Sequence, residues 1–190
     1  MITRECNTSD VYRRATYSDD EQYRYALEIR WVESTSAYTP LMVIGLNPST
    51  ATEAKDDPTI RRCVGFSKSW GFGGLVMTNL FAFRSTDPKR LLTQSDPIGF
   101  ENDIAYIAAC LVSGPTVLAA WGSIHSRFKG RAAVVVHELE LMGMDVVCLG
   151  VTANGSPRHP LYVPKDVCPI EWSTKLAYHF PFAANQNKYI

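Results

Sequence analysis

Four short apolar runs, LMVIGL (41–46), GLVMTN (74–79), TVLAA (116–120) and DVVCL (145–149), are separated by three segments whose apolar residues recur at helical spacing. Such alternation favours parallel strands, because a parallel connection needs a crossover of about a dozen residues or more. The first helical segment opens at Asp57-Pro58-Thr59, with Asp57 as N-cap and Pro58 in the first turn. It carries Ile60, Cys63 and Val64 on one face and ends near Trp70-Gly71. The second, 101–112, repeats apolar residues at Ile104, Ile107, Ala108 and Leu111. The third aligns Ala132, Val135, Val136, Leu139 and Met142, and Gly143 stops it. Upstream, 23–31 alternates like a half-buried strand, and a Ser/Thr-rich turn leads into 41–46, which predicts an antiparallel N-terminal hairpin at the sheet edge. The expected fold is α/β: a doubly wound, mostly parallel four-stranded central sheet with that hairpin beside it. The 190 residues predict a single domain.

Nineteen basic residues balance nineteen acidic ones, so net charge gives no argument for nucleic-acid binding and any cationic face has to be local. The start MITRECNTSD has no basic region followed by an apolar core, and no apolar run approaches about 18 residues. A cytoplasmic protein without membrane contact is expected. The five cysteines never form CxxC, which argues against structural zinc and iron-sulfur sites, and Cys110 and Cys148 fall in apolar patterns as small buried hydrophobes. No metal and no cofactor is expected.

Ligands of doubly wound sheets bind beyond the carboxyl ends of the strands. Those ends are 45–50, 79–84, 121–125 and 150–160, all polar or glycine-rich. Leu46-Asn47-Pro48-Ser49 makes either a plain turn or a site where the Asn47 amide holds a water or a polar ligand edge, with Pro48 fixing the backbone. Asn79 poses the same choice, and a base edge is a natural partner for a buried carboxamide. The loop NGSPRHPLY (154–162) is stiffened by two prolines and carries an amide, a hydroxyl, a guanidinium, an imidazole and two large apolar groups. It suits pressing on a phosphate backbone or wedging into a base stack, and His159 is either a surface histidine or an acid or base. Arg61, Arg62, Arg84, Lys89, Arg90, Arg127, Lys129, Arg131 and Arg158 either form a solvated surface or meet phosphates. Trp121-Gly122 reads as packing, or as close backbone approach to a ligand. Asp57 has a sufficient role as helix cap. The chain has no P-loop, no Gly-x-Gly-x-x-Gly after a strand and no Gly-x-Ser-x-Gly elbow.

Five ordered motifs, VIGLNPSTA, DPTIRRC, TNLFAFRSTDP, AAWG and GSPRHPLYVP, resemble DUF1643, a family of unknown function found in bacteria and phages. The resemblance covers a core of about 24–165 and leaves 166–190 as a C-terminal extension. More distantly, Gly45-Leu46-Asn47-Pro48-Ser49 resembles the first motif of the uracil-DNA glycosylase superfamily, in the branches that read Gly-hydrophobic-Asn-Pro-Gly. That likeness implies a three-layer sandwich and gives Asn47 the positioning of the attacking water. It also gives Asn79 the reading of a flipped base. Asn154-Gly155-Ser156-Pro157-Arg158 resembles the superfamily's second motif, which supports the transition state and inserts into DNA. Here Asn154 stands where some branches have His and Gly155 where they have Pro, and Ser49 replaces the last Gly of the first motif.

Together these residues lead to the expectation of a glycosylase-like protein that hydrolyses the N-glycosidic bond of uracil or a modified pyrimidine in DNA. Its catalytic residues would be Asn47, Asn154 and His159. Gly45, Leu46, Pro48, Ser49, Asn79, Ser156 and Arg158 would bind substrate, and Arg61, Arg62, Arg84 and Arg127 the nucleic-acid backbone. The partner would be DNA, single-stranded or modified DNA included, or a free nucleotide. The alternative is a non-catalytic binder of nucleotides or modified bases on the same fold, serving phage or host defence or counter-defence.

Overall fold

The computed structural model describes residues 1–31 and 39–173. The Ser/Thr-rich turn and all of the C-terminal extension after 173 lie outside the described residues. Strands β1 (Ile2–Glu5), β2 (Val11–Tyr17), β3 (Arg24–Trp31), β4 (Pro40–Gly45), β5 (Gly74–Asn79), β6 (Thr116–Ala119), β7 (Asp145–Cys148) and β8 (Ile170–Glu171) form one sheet in the order β1-β2-β3-β5-β4-β6-β7-β8. Between them run α1 (Pro58–Ser69), α2 (Asn102–Val112) and α3 (Lys129–Leu141). Strands β5, β4, β6 and β7 pair in parallel, whereas β1, β2, β3 and β8 join antiparallel. The fold is therefore mixed α/β, with an eight-stranded sheet in which antiparallel pairings outnumber parallel ones.

Every residue of β4 and β5 is buried, as unbroken apolar strands covered on both faces require. Alternate residues serve opposite layers. Leu41, Val43, Leu75 and Met77 pack with Ile60, Cys63 and Phe66 of α1, while Met42, Ile44 and Val76 pack with Tyr106, Ala109 and Cys110 of α2 and Val135, Val136 and Leu139 of α3. Asp57 caps α1 by accepting from the Ile60 N–H at 2.8 Å, and Gly71 takes φ +81° just past its end. The chain leaves β4 through α1 to β5 on one side and later reaches β6 on the other. The sheet direction thus reverses at β4, and a crevice opens beyond its carboxyl end.

Two sequence expectations need correction. The run 23–31 does not form a hairpin with 41–46. It pairs antiparallel with β5 (Leu27 opposite Met77) because both edges of β4 are taken by β5 and β6. Its hairpin partner is β2, a strand not predicted from the sequence. β2 buries only Ala15 and Tyr17 and carries Arg13, Arg14 and Thr16 on its more exposed positions, a composition suited to the outer part of a sheet. The inward face of α2 is also not the expected one. Asn102, Tyr106, Ala109 and Cys110 are buried, whereas Ile104, Ile107 and Leu111 are exposed, Leu111 at 78 %. Both sets keep helical spacing on a helix that is apolar nearly all round, so periodicity alone cannot choose between them.

The three cysteines Cys63, Cys110 and Cys148 are buried free thiols, and burial pushes Cys63 up to about 12 and Cys110 to about 11. No helix among the described residues is long and apolar enough to cross a membrane. The orientation of α2 is open to a direct check by denaturant unfolding. Tyr106→Ala is expected to cost about 3–5 kcal/mol as a buried aromatic truncation, and Leu111→Ala to stay within about 0.5 kcal/mol of the parent.

Candidate active site

The carboxyl ends of β4 and β5 are adjacent, with Gly45 opposite Asn79 in the register. Past that pair the two chains stay stitched. Leu80 N–H donates to Gly45 O (2.9 Å), Phe81 N–H to Leu46 O (3.0 Å) and Ser85 N–H to Pro48 O (2.9 Å). The Asn47 Nδ2 completes the seam by donating to Ser85 O (2.8 Å), Pro48 O (3.1 Å) and Phe83 O (3.4 Å). Three carbonyls around one end of the amide fix that end as nitrogen. Oδ1 therefore faces the other way, with no donor among the described residues.

A cavity of about 560 Å³ opens beside this seam, within the size range of small-molecule sites. Gly45, Leu46, Asn47, Ser49 and Asn79 line it from the first two loops. Asn79 is only 2 % exposed, and neither Oδ1 nor Nδ2 has a hydrogen-bond partner among the described residues. Its seat depends on Gly45: a Cβ there would lie 2.7 Å from Asn79 Oδ1 and 2.6 Å from Met77 Cε. The backbone beneath is held by buried Asn102, whose Nδ2 donates to Asn79 O (3.1 Å) and Leu80 O (3.3 Å).

The third and fourth loops close the opposite wall with Trp121, Gly122, Arg158, His159, Leu161 and Tyr162. Gly122 has φ +74°, and a Cβ on it would lie 3.0 Å from His159 Cβ, so glycine serves both conformation and clearance. His159 Nδ1 accepts from the Leu161 N–H (3.3 Å), which places the proton of the neutral ring on Nε2. Burial lowers its pKa below the ordinary 6.5, and Asp57 acts in the opposite sense.

Asn154 does not join this group. It is exposed at the tip of a small hairpin, where its Oδ1 accepts from Thr152 Oγ1 (2.6 Å) and Ser156 N–H (3.3 Å). Ser156 is buried within the same hairpin, and neither it nor Pro48 lines the cavity. The short side chain of Asn154 is turned onto its own backbone, the usual habit of Asn in a tight loop.

The expected phosphate contacts are dispersed. Arg62 braces α1 against the fourth loop through Pro160 O (3.2 Å) and Val163 O. Arg61 donates to Asp56 O (2.9 Å), and Arg127 to Leu92 O (3.3 Å). Arg84 donates to Glu21 O (2.9 Å) and, with Arg90, borders an open recess of about 400 Å³ that shares Ser49, Ser85 and Thr86 with the cavity.

The arginines that do line the cavity are Arg158, exposed at its rim, and Arg24, buried at its wall. Arg24 escaped sequence reasoning because strand alternation assigns it to the solvent side. A shift in register between Thr16 and Tyr17 sets Arg24 opposite Tyr17. Asp57 lines the cavity while capping α1, and the buried Trp121 Nε1 is unpaired. Their sequence signals, a helix start and an aromatic at a strand end, are sufficiently explained by capping and by packing.

Gly45→Ala is expected to cost about 1–3 kcal/mol through overpacking and to displace the Asn79 side chain, which a crystal structure of the variant would reveal. For His159, the unfolded chain binds the proton more readily than the folded one. Stability is therefore expected to fall as pH drops from about 6.5 through the lower folded value, and not to depend on this group well above 6.5. Denaturation midpoints across that range should slope for the parent and flatten for His159→Gln.

Residues 24–161 match the model of a family described as a protein of unknown function, DUF1643. The matched segment opens on Arg24 and closes on Leu161, both at the cavity wall, and it leaves β1, β2 and β8 outside. Neither a curated protein nor a solved structure matches the chain. With a match that runs from the start of β3 to the fourth loop, the chain belongs to the DUF1643 family.

Proposed function

We propose that the protein is a glycosylase-like enzyme that hydrolyses the N-glycosidic bond of uracil or a modified pyrimidine in DNA. The observation that carries this reading is Asn79, a buried carboxamide at the cavity wall with its donor and its acceptor both unpaired. Leaving such a group unsatisfied costs about 1–3 kcal/mol. A pyrimidine edge, with a carbonyl beside an N–H, offsets that cost by pairing with both ends of the amide.

The rest of the cavity supplies roles for cleavage. Asn47 Oδ1 accepts a hydrogen bond from a water and holds it for attack on the anomeric carbon, while its Nδ2 stays tied to the seam. The neutral His159 offers Nε2–H to a base carbonyl on which negative charge builds. An amide is a poor base, so the reaction depends on stabilising the departing base more than on activating the water. Leu161 and Tyr162, exposed beside Arg158, form the rim that meets the nucleic-acid strand. The parallel strands β5-β4-β6-β7, with α1 on one face and α2 and α3 on the other, support the comparison with the three-layer glycosylase sandwich, extended here by β1–β3 and β8.

The test is release of abasic product from single- and double-stranded oligonucleotides carrying uracil, hydroxymethyluracil and more oxidised pyrimidines. Product formation is expected to fall by about 100-fold or more in Asn47→Ala, the scale of losing one positioned catalytic group. Tight binding of a modified strand without product would reassign the protein as a base-binding factor. Absence of both binding and product across the series would refute the proposal.

A further inference from the structure

Three charged residues are buried among the described ones, and the two carboxylates, Glu28 and Asp57, both have partners. Glu28, 5 % exposed, holds both Arg14 (2.9 Å) and Arg30 (2.5 Å). Arg24 is more deeply buried, at 2 % exposure, yet among the described residues no carboxylate lies within ion-pair distance of it. One terminal nitrogen donates to Ala51 O (2.5 Å), and Nε has no acceptor. The acids nearest in effect are engaged elsewhere: Asp57 Oδ1 caps α1, and Glu53 Oε2 accepts from the Tyr17 hydroxyl (2.8 Å). A second guanidinium, Arg84, adds repulsion. Burial pulls the Arg24 pKa down to about 10, so the group still carries its charge at neutral pH. An unpaired buried cation is costly, and this one lines the same cavity as Asn79.

We infer that the ligand of this cavity carries an anionic oxygen group, a carboxylate or a phosphate, that pairs with Arg24 while Asn79 holds the adjoining ring. This rests on the pyrimidine reading proposed above and narrows it. On a base, the group is a ring carboxylate, as on an oxidised pyrimidine. On a free nucleotide, it is the phosphate. A guanidinium edge suits either, because its planar fork matches the geometry of an oxyanion.

The experiment is calorimetric titration of the full chain at one neutral pH with 5-carboxyuracil, its near-isosteric neutral carboxamide, uracil, uridine and uridine 5′-monophosphate. The carboxylate is expected to bind about 10- to 100-fold tighter than the carboxamide, the range of a charge-assisted hydrogen bond. A preference of that size for the monophosphate over uridine, without one for the carboxylate, supports the inference with phosphate as the source. Arg24→Met should abolish whichever preference is found, and Arg24→Lys should keep part of it. Should Arg24→Met fail to fold, the comparisons on the parent chain and Arg24→Lys decide. Equal affinity for anionic and neutral members overturns the inference and leaves the pyrimidine reading intact. A preference that survives in Arg24→Met overturns the assignment to Arg24. Binding of none of the five overturns both.

Discussion

The cavity depends on the seam that fastens the chain after β4 to the chain after β5. Backbone bonds from Leu80, Phe81 and Ser85 to Gly45, Leu46 and Pro48 carry the strand pairing past the end of the sheet. Asn47 locks its far end with one amide nitrogen shared among three carbonyls. The division of labour within that side chain follows from valence. The nitrogen is spent on structure, which frees the oxygen for chemistry and fixes where it points. The same seam brings Asn79 against Gly45, where the missing Cβ makes room for the carboxamide. Two residues far apart in sequence thereby become neighbours through register alone.

Electrostatics adds a second constraint. A fold that pairs Glu28 twice, yet leaves Arg24 without a carboxylate, is uneven in its treatment of buried charge. With unpaired polar atoms on Asn79 and Trp121, Arg24 puts unmet hydrogen-bonding capacity on one concave surface. Three of the residues with buried unpaired polar atoms, Arg24, Asn79 and Trp121, thus share one wall system that a polar ligand can complete.

Much of this was legible in the residues. GLVMTN forms β5 over its whole length, and Asp57-Pro58 starts α1 where the cap and proline say it should. Gly143, at φ +74°, follows the last turn of α3. These features are local, and local sequence determines them. Three others are not. The outer strands β1 and β2 owe their existence to a neighbour that receives them, since each buries little of its own. The face of α2 is chosen by the shape of the layer it covers, because its sequence offers two apolar stripes. The fate of each loop amide depends on whether a longer-range partner outcompetes its own backbone. Asn47 finds Ser85, whereas Asn154 finds only Thr152 and Ser156. Strand alternation likewise hides Arg24, since a single extra residue in β3, Tyr25, suffices to turn a side chain inward.

The antiparallel strands beside β5 have a consequence for how this protein can be divided. The β-α-β crossovers look self-sufficient, since they hold both apolar layers and three of the four loops. One wall of the hollow, however, is a guanidinium that arrives from β3, anchored by Ala51 O. A fragment trimmed to begin at β4 would keep the framework and lose a fixed positive pole, so the smallest piece able to recognise its ligand is larger than the smallest piece with the look of a domain.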